Sequence, residues 1–581
     1  MVYFESLPPL NCYNKPEAIY MDSNGAFRLN KSAVKNYGYS DISCTYSSIE
    51  RKGNSDSQVI FKPEVKMRFP EYLKSDFALI TCSNHELVTV HKQLHSTIDT
   101  KTALQKRNLS SESEDRLSVV IFGVDSLSRL TAIRTLNKTL HCLKNDLDGY
   151  IFKGQTKVGR NTLPNIIPLM TGRTQASFNV RPPFDFTNVP FIWNNFSRKG
   201  YATFFSEDDP DLAVFNSDND GFQMQPTDHY MRPFYLAMKN INAVSHDNVI
   251  DNNLHFLKHI KIGKSSFCYG NLPKHSLLIE YYKTFMTTYA GKCKFAFSWL
   301  TELRHNSQKI FRLADNDFSD FLKWLKENKH LENAILIFMG DHGSNFGAIR
   351  NTFIGRIEER MPFFSLVLPE HIKRKYPDIH KNLQDNTHRL TTVFDVHETI
   401  KDILNKNFIP RKINVENVPR GISLFSKIPR SRTCLQAGIP EQHCACYSSS
   451  NISTEDPDVK KFGSIIVNYI NKILSDVQQK CHKLTLHEIK HAESILSGFK
   501  RVEQAETFTF RRFFSKPDVE NVKRYLVLIE TIPGNGLFEA TVDYKQDGAI
   551  DFIGQILRTN TYGNQSRCIT NFTYKEYCYC R

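Results

Sequence analysis

The chain has no run of ~18 apolar residues, the length a helix needs to cross a bilayer, so no transmembrane helix is read from it. Its opening, MVYFESLPPLNCYN, lacks a basic segment followed by an apolar one, and no secretory leader is visible there. None of the thirteen cysteines forms a C-x-x-C pair, the spacing by which zinc knuckles bring two thiolates onto one ion. Internal repeats are absent, and so is a basic arm. Lys and Arg number 75 against 61 Asp and Glu, but the net +14 is spread along the chain. A dispersed excess argues against nucleic-acid binding. It suits anionic partners, such as phosphate or sulfate esters, glycans or lipid headgroups, and equally a plain solvated basic surface.

What is present is ordinary globular material. The 581 residues are 40% hydrophobic and 23% charged, with 42 Phe and 24 Tyr, enough for several cores. Seven cysteines, Cys434, Cys444, Cys446, Cys481, Cys568, Cys578 and Cys580, cluster after residue 430 at irregular spacings. Such clusters fit disulfides and an oxidising compartment, and the odd total leaves at least one thiol free or intermolecular. The chain is either cytosolic or a form whose targeting segment is missing. The cysteines favour the second, an extracellular or membrane-anchored lumenal protein. N-x-[ST] sequons starting at Asn108, Asn137, Asn195, Asn451, Asn564 and Asn571 would allow a glycoprotein, at about the frequency chance would give.

Residues 1–104 carry short β-like runs with three cysteines and read as a small β-rich domain. Residues 105–116, polar and serine-rich, read as a linker. From 117 to 425 the texture is α/β. LSVVIFGVD (117–125) is a strand buried on both faces, and ATFFSED, KFAFSWLTE, NAILIFMGD and FFSLVLPE repeat the pattern. Helical stretches such as 319–331 and 389–404 lie between them. The alternation predicts a mixed, mostly parallel sheet with helices on both faces. Residues 426–581 form a cysteine-rich α+β region, with an amphipathic helical stretch at 458–500 and a β-like ending.

Ligands of open α/β sheets sit beyond the carboxyl ends of the strands. Two apolar strands end there in Asp125 and Asp341, and His342 follows at once. Asp and His donors suit Zn²⁺ or Mn²⁺, with Mg²⁺ or Ca²⁺ as further options; either Asp alone would suit a helix cap or turn. Between them KVGRNTLPNIIPLMTGR places Thr162 before an apolar helical run. There its hydroxyl serves either as an N-cap or as a metal-activated nucleophile.

GVDSLSR, RNTLPN–LMTG and IFMGDHG, in that order, resemble the metal–nucleophile–metal framework of the alkaline-phosphatase superfamily, which includes sulfatases, phosphodiesterases and phosphoethanolamine transferases. TELRHNS, SEDDP, GDHGSNFGAIRNTFIGRIEERMP and RLTTVFDVHETI are similar to an animal family of sulfatase-like proteins named only as domain of unknown function 229. The resemblance covers most of the chain. It implies an alkaline-phosphatase-like fold, metal held by Asp125, Thr162, Asp341 and His342, and Thr162 as nucleophile. Ser126, directly after Asp125, is the alternative nucleophile. The NTLPN segment lacks the C/S-x-P-x-R motif from which sulfatases make formylglycine. Where phosphodiesterases of the superfamily carry Asp-x-x-x-His for a second metal, this chain reads Thr301-Glu302-Leu303-Arg304-His305. His305 is then expected to bind substrate or polarise the leaving group, with Glu302 beside it. His388 and His397 are expected to be structural, with His388 the better outside candidate; the run Glu207-Asp208-Asp209 ends another strand and either faces the site or, as expected, forms a solvated turn. The expected function is metal-dependent hydrolysis or transfer of phosphate esters or diesters. A binding protein that kept the fold without turnover, and a sulfate-ester hydrolase without formylglycine, stand as alternatives.

Overall fold

The computed structural model describes residues 10, 12, 17–36, 38–39, 41–99, 109–180, 182–248, 261–262, 265–269, 272–304, 308–496 and 522–581. The chain divides into two compact units. The first comprises residues 1–343 and 361–432, the second residues 344–360 and 433–581.

The first unit is built on a seven-stranded sheet. Its order is His229–Tyr230, Ala202–Glu207, Lys294–Leu300, Ser118–Val124, Ala334–Met339, Phe364–Val367 and Tyr150–Ile151. The first five strands run parallel; the Phe364–Val367 strand is antiparallel to both of its neighbours. The expected α/β class and mostly parallel sheet are therefore observed. The Ser118–Val124, Ala202–Glu207, Lys294–Leu300 and Ala334–Met339 strands are buried along their whole length, which is why their sequences are continuous apolar runs rather than alternating ones.

Both faces of the sheet are covered. Phe122 and Phe338 stack on one face, where Phe318 and Phe321 of the Asp315–Glu327 helix pack against Phe122. On the other face Trp193, from the Ile192–Arg198 helix, stacks on Phe205 and Phe297. Gly123 is required in the central strand, since a Cβ there would lie 2.0 Å from the Trp299 ring. A five-stranded antiparallel sheet from residues 43–96 accompanies this one, with Cys44 and Cys82 paired across directly opposed positions.

The second unit holds a six-stranded antiparallel sheet covered by the Pro457–Ile473 helix, whose Phe462, Ile466 and Ile470 enter its core. The helical reading of 458–500 is corrected here: the helix ends at Ile473, and Thr485–Leu496 is a strand. Leu486, Ile489, Ala492 and Ile495 recur every third residue, which mimics a helical face. Register shifts at Leu486/Glu488 and Ile489/His491 absorb the extra residue in the first two of these intervals, as bulges do. Six of the seven late cysteines are paired, as Cys434–Cys444, Cys481–Cys578 and Cys568–Cys580, and Cys446 is free and exposed. Among the described residues no helix is long and apolar enough to cross a membrane.

Candidate metal centre

Asp125 and Asp341 follow adjacent parallel strands, so the register that pairs Met339 with Gly123 brings both carboxylates to one edge. Gly340 tightens the approach. A Cβ there would lie 2.3 Å from the Leu127 carbonyl, which instead accepts a hydrogen bond from the Phe363 N–H at 2.8 Å. Ser126 sits at φ +59°, a left-handed conformation that is uncommon outside glycine and tends to occur where function constrains the backbone. Its N–H donates to Asp341 Oδ1 at 3.0 Å and its hydroxyl to Asp125 Oδ1 at 2.6 Å.

Asp125, Asp341 and His342 are all buried and present ligand atoms within 4.8 Å of one another. His342 Nε2 lies 3.3 Å from Asp341 Oδ2 and 3.9 Å from Asp125 Oδ1. His342 Nδ1 faces the Gly343 carbonyl at 2.7 Å, which fixes the ring with Nε2 turned inward. Among the described residues neither His342 Nε2 nor Asp341 Oδ2 has a hydrogen-bond partner. Burial raises the Asp341 carboxyl above its ordinary value; the Asp125 carboxylate adds to this, while His342 opposes it. Two carboxylates and an imidazole nitrogen, buried together and partly unsatisfied, are a donor set that a divalent cation would complete.

Thr162 occupies the N-cap position of the Leu163–Thr171 helix, yet its side chain makes no capping bond. Its hydroxyl donates instead to Asp125 Oδ2 at 3.1 Å. The loop carrying it is held by Asn165, whose Oδ1 accepts from the Val158 and Gly159 N–H groups and whose Nδ2 donates to the Gly159 and Asn161 carbonyls. Asn165 was not singled out from sequence; it is the last letter of NTLPN, and its value lies in contacts that run backwards along the chain.

The expectation of a solvated acidic turn is corrected for two of its three residues: Glu207 and Asp208 are buried. Glu207 is the last residue of the parallel strand beside Lys294–Leu300, and Asp208 follows it. Asp208 Oδ1 accepts from the Thr301 N–H at 2.6 Å and the Glu302 N–H at 3.2 Å. Burial raises Glu207 to about 8 and Asp208 to about 6. Glu302 is likewise pushed by burial to about 8, although Lys274 lies 2.6 Å away and opposes the shift. His305 lies outside the described residues. His397 is buried against the Leu169 carbonyl at 2.9 Å, and His388 faces Lys153 Nζ at 3.3 Å; neither is part of the cluster.

A family model described as "Protein of unknown function (DUF229)" matches residues 5–490. A search among curated proteins finds no match. Among solved structures, a protein in the alkaline phosphatase superfamily from Vibrio parahaemolyticus is similar at 10% identity and TM-score 0.36, over 81% of this chain and 87% of that one. The phosphonate monoester hydrolase SpPMH from Silicibacter pomeroyi gives 12% identity and TM-score 0.39, over 78% and 92%. The PsFucS1 sulfatase from Pseudoalteromonas sp. gives 14% and 0.32, over 59% and 75%.

Proposed function

The chain belongs to the DUF229 family, and from that premise we propose that it is a metal-dependent hydrolase or transferase of phosphate esters with Thr162 as nucleophile. The observation that carries this reading is the buried Asp125–Asp341–His342 cluster, with His342 Nε2 and Asp341 Oδ2 left without hydrogen-bond partners among the described residues. Asp125, Asp341, His342 and the Thr162 hydroxyl would hold one ion, most suitably Zn²⁺ or Mn²⁺. When bound, it would supply positive charge to the non-bridging oxygens of the ester and lower the pKa of the Thr162 hydroxyl.

The protein's own residues set the geometry. Asn165 holds the loop, and Asp125 Oδ2 takes the hydrogen bond that aims the Thr162 hydroxyl. Attack forms the Oγ1–P bond of Thr162 and breaks the ester O–P bond, releasing the alcohol. Water or an acceptor alcohol then displaces the phosphate and restores the threonine. Formylglycine discharges sulfate by elimination from its hydrate, a route closed to threonine, so phosphoesters are favoured over sulfate esters. The five disulfides support an extracellular or membrane-anchored lumenal setting.

The test combines elemental analysis with a screen of generic phosphomonoester, phosphodiester and sulfate esters. About one divalent ion per chain, lost in Asp341→Ala and His342→Ala, is expected. Thr162→Ala should lower phosphoester turnover by several orders of magnitude with metal retained, and Thr162→Ser should keep part of the rate. Mass spectrometry of trapped protein should find phosphate on the Thr162 peptide. Full activity in Thr162→Ala would pass the role to Ser126. Protein without stoichiometric metal would favour a binding protein on the same fold, a reading that Thr301 in place of an aspartate already favours.

A further inference from the structure

The Leu163–Thr171 helix has Thr162 at one end and a cavity at the other. Nine residues at about 1.5 Å each separate the two by about 14 Å, so the cavity is not part of the Asp–Asp–His cluster. It is a depression open to solvent, of about 520 Å³, with Arg173, Ser177, Phe394, Glu398, Arg420 and Gly421 among its walls. That volume is in the range of small-molecule sites.

The walls are fixed by buried chemistry. Arg432, fully buried, makes a bidentate pair with Asp395 at 2.8 and 2.9 Å and also holds the Arg420 carbonyl. Asp395 Oδ1 takes the Ile422 N–H at 2.7 Å. The turn bearing Arg420 is therefore anchored on both sides. Gly421 is forced by close packing, since a Cβ would lie 2.8 Å from the Phe394 carbonyl. On the opposite wall Thr171 Oγ1 takes the Arg173 N–H at 3.1 Å, and Gly172, at φ +68°, leaves room only for the His397 ring.

Against this fixed frame the charges are unbalanced. Glu398 is neutralised by Lys401 at 2.8 and 3.0 Å. The guanidiniums of Arg173 and Arg420 have no ion-pair partner among the described residues; Arg420 lies over the Phe394 ring at 5.1 Å. Two forked donors facing one cavity, with a serine hydroxyl beside them, match a tetrahedral oxyanion.

We propose that this cavity is a second anion site, separate from the metal centre, that takes a phosphate group carried free or on a lipid headgroup. It does not depend on the catalytic reading. Two probes distinguish the sources: inorganic phosphate by calorimetry, and phosphatidylcholine vesicles with or without phosphatidic acid by flotation. Both are measured on the full chain and on Asp341→Asn, which disables the metal centre while keeping side-chain volume, each with and without Arg173→Ala/Arg420→Ala. Saturable binding of at least one probe should survive in Asp341→Asn and weaken tenfold or more when the arginines are removed. Both arginines are exposed, so the thermal midpoint should not move. Arginine-dependent binding of phosphate alone identifies a free ligand, and of vesicles alone a lipid. Binding that disappears with Asp341→Asn, or that is indifferent to the arginines, or that is absent for both probes, would overturn the proposal.

Discussion

At the scale of single residues, the loop that carries Thr162 depends on one side chain whose polar atoms are all committed. Asn165 has four backbone partners and no exposure. Replacing it with alanine strands buried backbone groups, at about 1–3 kcal/mol, and frees the Thr162 loop. Asn165→Ala should therefore lower both the denaturation midpoint and the turnover number, with KM moving less than kcat. Unchanged kcat in a folded variant would remove Asn165 as a positioning residue. Glu207 gives a pH test. Burial raises its folded value to about 8 from 4.5, so between those values the native state holds a proton that the unfolded chain has lost. Stability contributed at this position is then present below pH ~4.5, declines as pH rises through the window and levels off above ~8. Glu207→Gln should flatten that decline, which urea midpoints at pH 5 and pH 8 would register. The strand-end positions of Asp125, Asp341 and His342 were readable because an apolar run that stops at an acid marks a carboxyl edge. The burial of Asp208 was not, because its partners, Thr301 and Glu302, lie 93 and 94 residues away.

At the scale of elements, the fully buried strands were the legible part: burial on both faces writes a continuous apolar run, and those runs fall on the four central parallel strands. The strand at Thr485–Leu496 was hidden by its own irregularity. Two bulges set Leu486, Ile489 and Ala492 at intervals of three, and Ile495, in regular register on the opposite face, continues the count by coincidence; no local signal separates that from a helix. Gly340 is the sharpest local test of the centre's geometry. A methyl group there meets a backbone carbonyl, which cannot swing aside as a side chain would. Gly340→Ala should push the Asp125 and Asp341 segments apart and lower metal affinity more than tenfold. Metal content after dialysis against a graded chelator series measures this; wild-type retention would show that the edge is more pliable than its packing indicates.

At the scale of the whole molecule, the thirteen cysteines resolve into five disulfides and three thiols, of which Cys142 and Cys293 are buried and Cys446 exposed. An alkylating reagent should label one thiol per native chain and three after denaturation without reductant. Seven labelled thiols after residue 430 would contradict the pairing and the oxidising compartment together. The second unit should also resist isolation. Its 344–360 segment supplies Arg350, bonded to Glu539 at 3.0 and 3.1 Å, and Arg356, bonded to Glu493. Hydropathy gave no hint of this, since the buried contacts are charges. A fragment beginning at Thr433 would leave Glu539 without Arg350 and Glu493 with only His491 at 2.7 Å, at about 3–5 kcal/mol for a broken buried pair. It should fold only when a peptide of residues 344–360 is added, as circular dichroism would report.

That same division imposes an order on synthesis. Arg350 leaves the ribosome 189 residues before Glu539, an interval of about 10–40 s at ordinary elongation rates. Throughout it the segment directly after His342 waits, its Arg350 without Glu539 and its Arg356 without Glu493, while the strand that follows it already has every partner it needs to join the sheet. The first unit, whose last residue is 432, can therefore complete its chain before the 344–360 segment has its partners. Anything that captures that segment early, whether a chaperone or an anionic surface, would act on the second unit before its remaining chain exists.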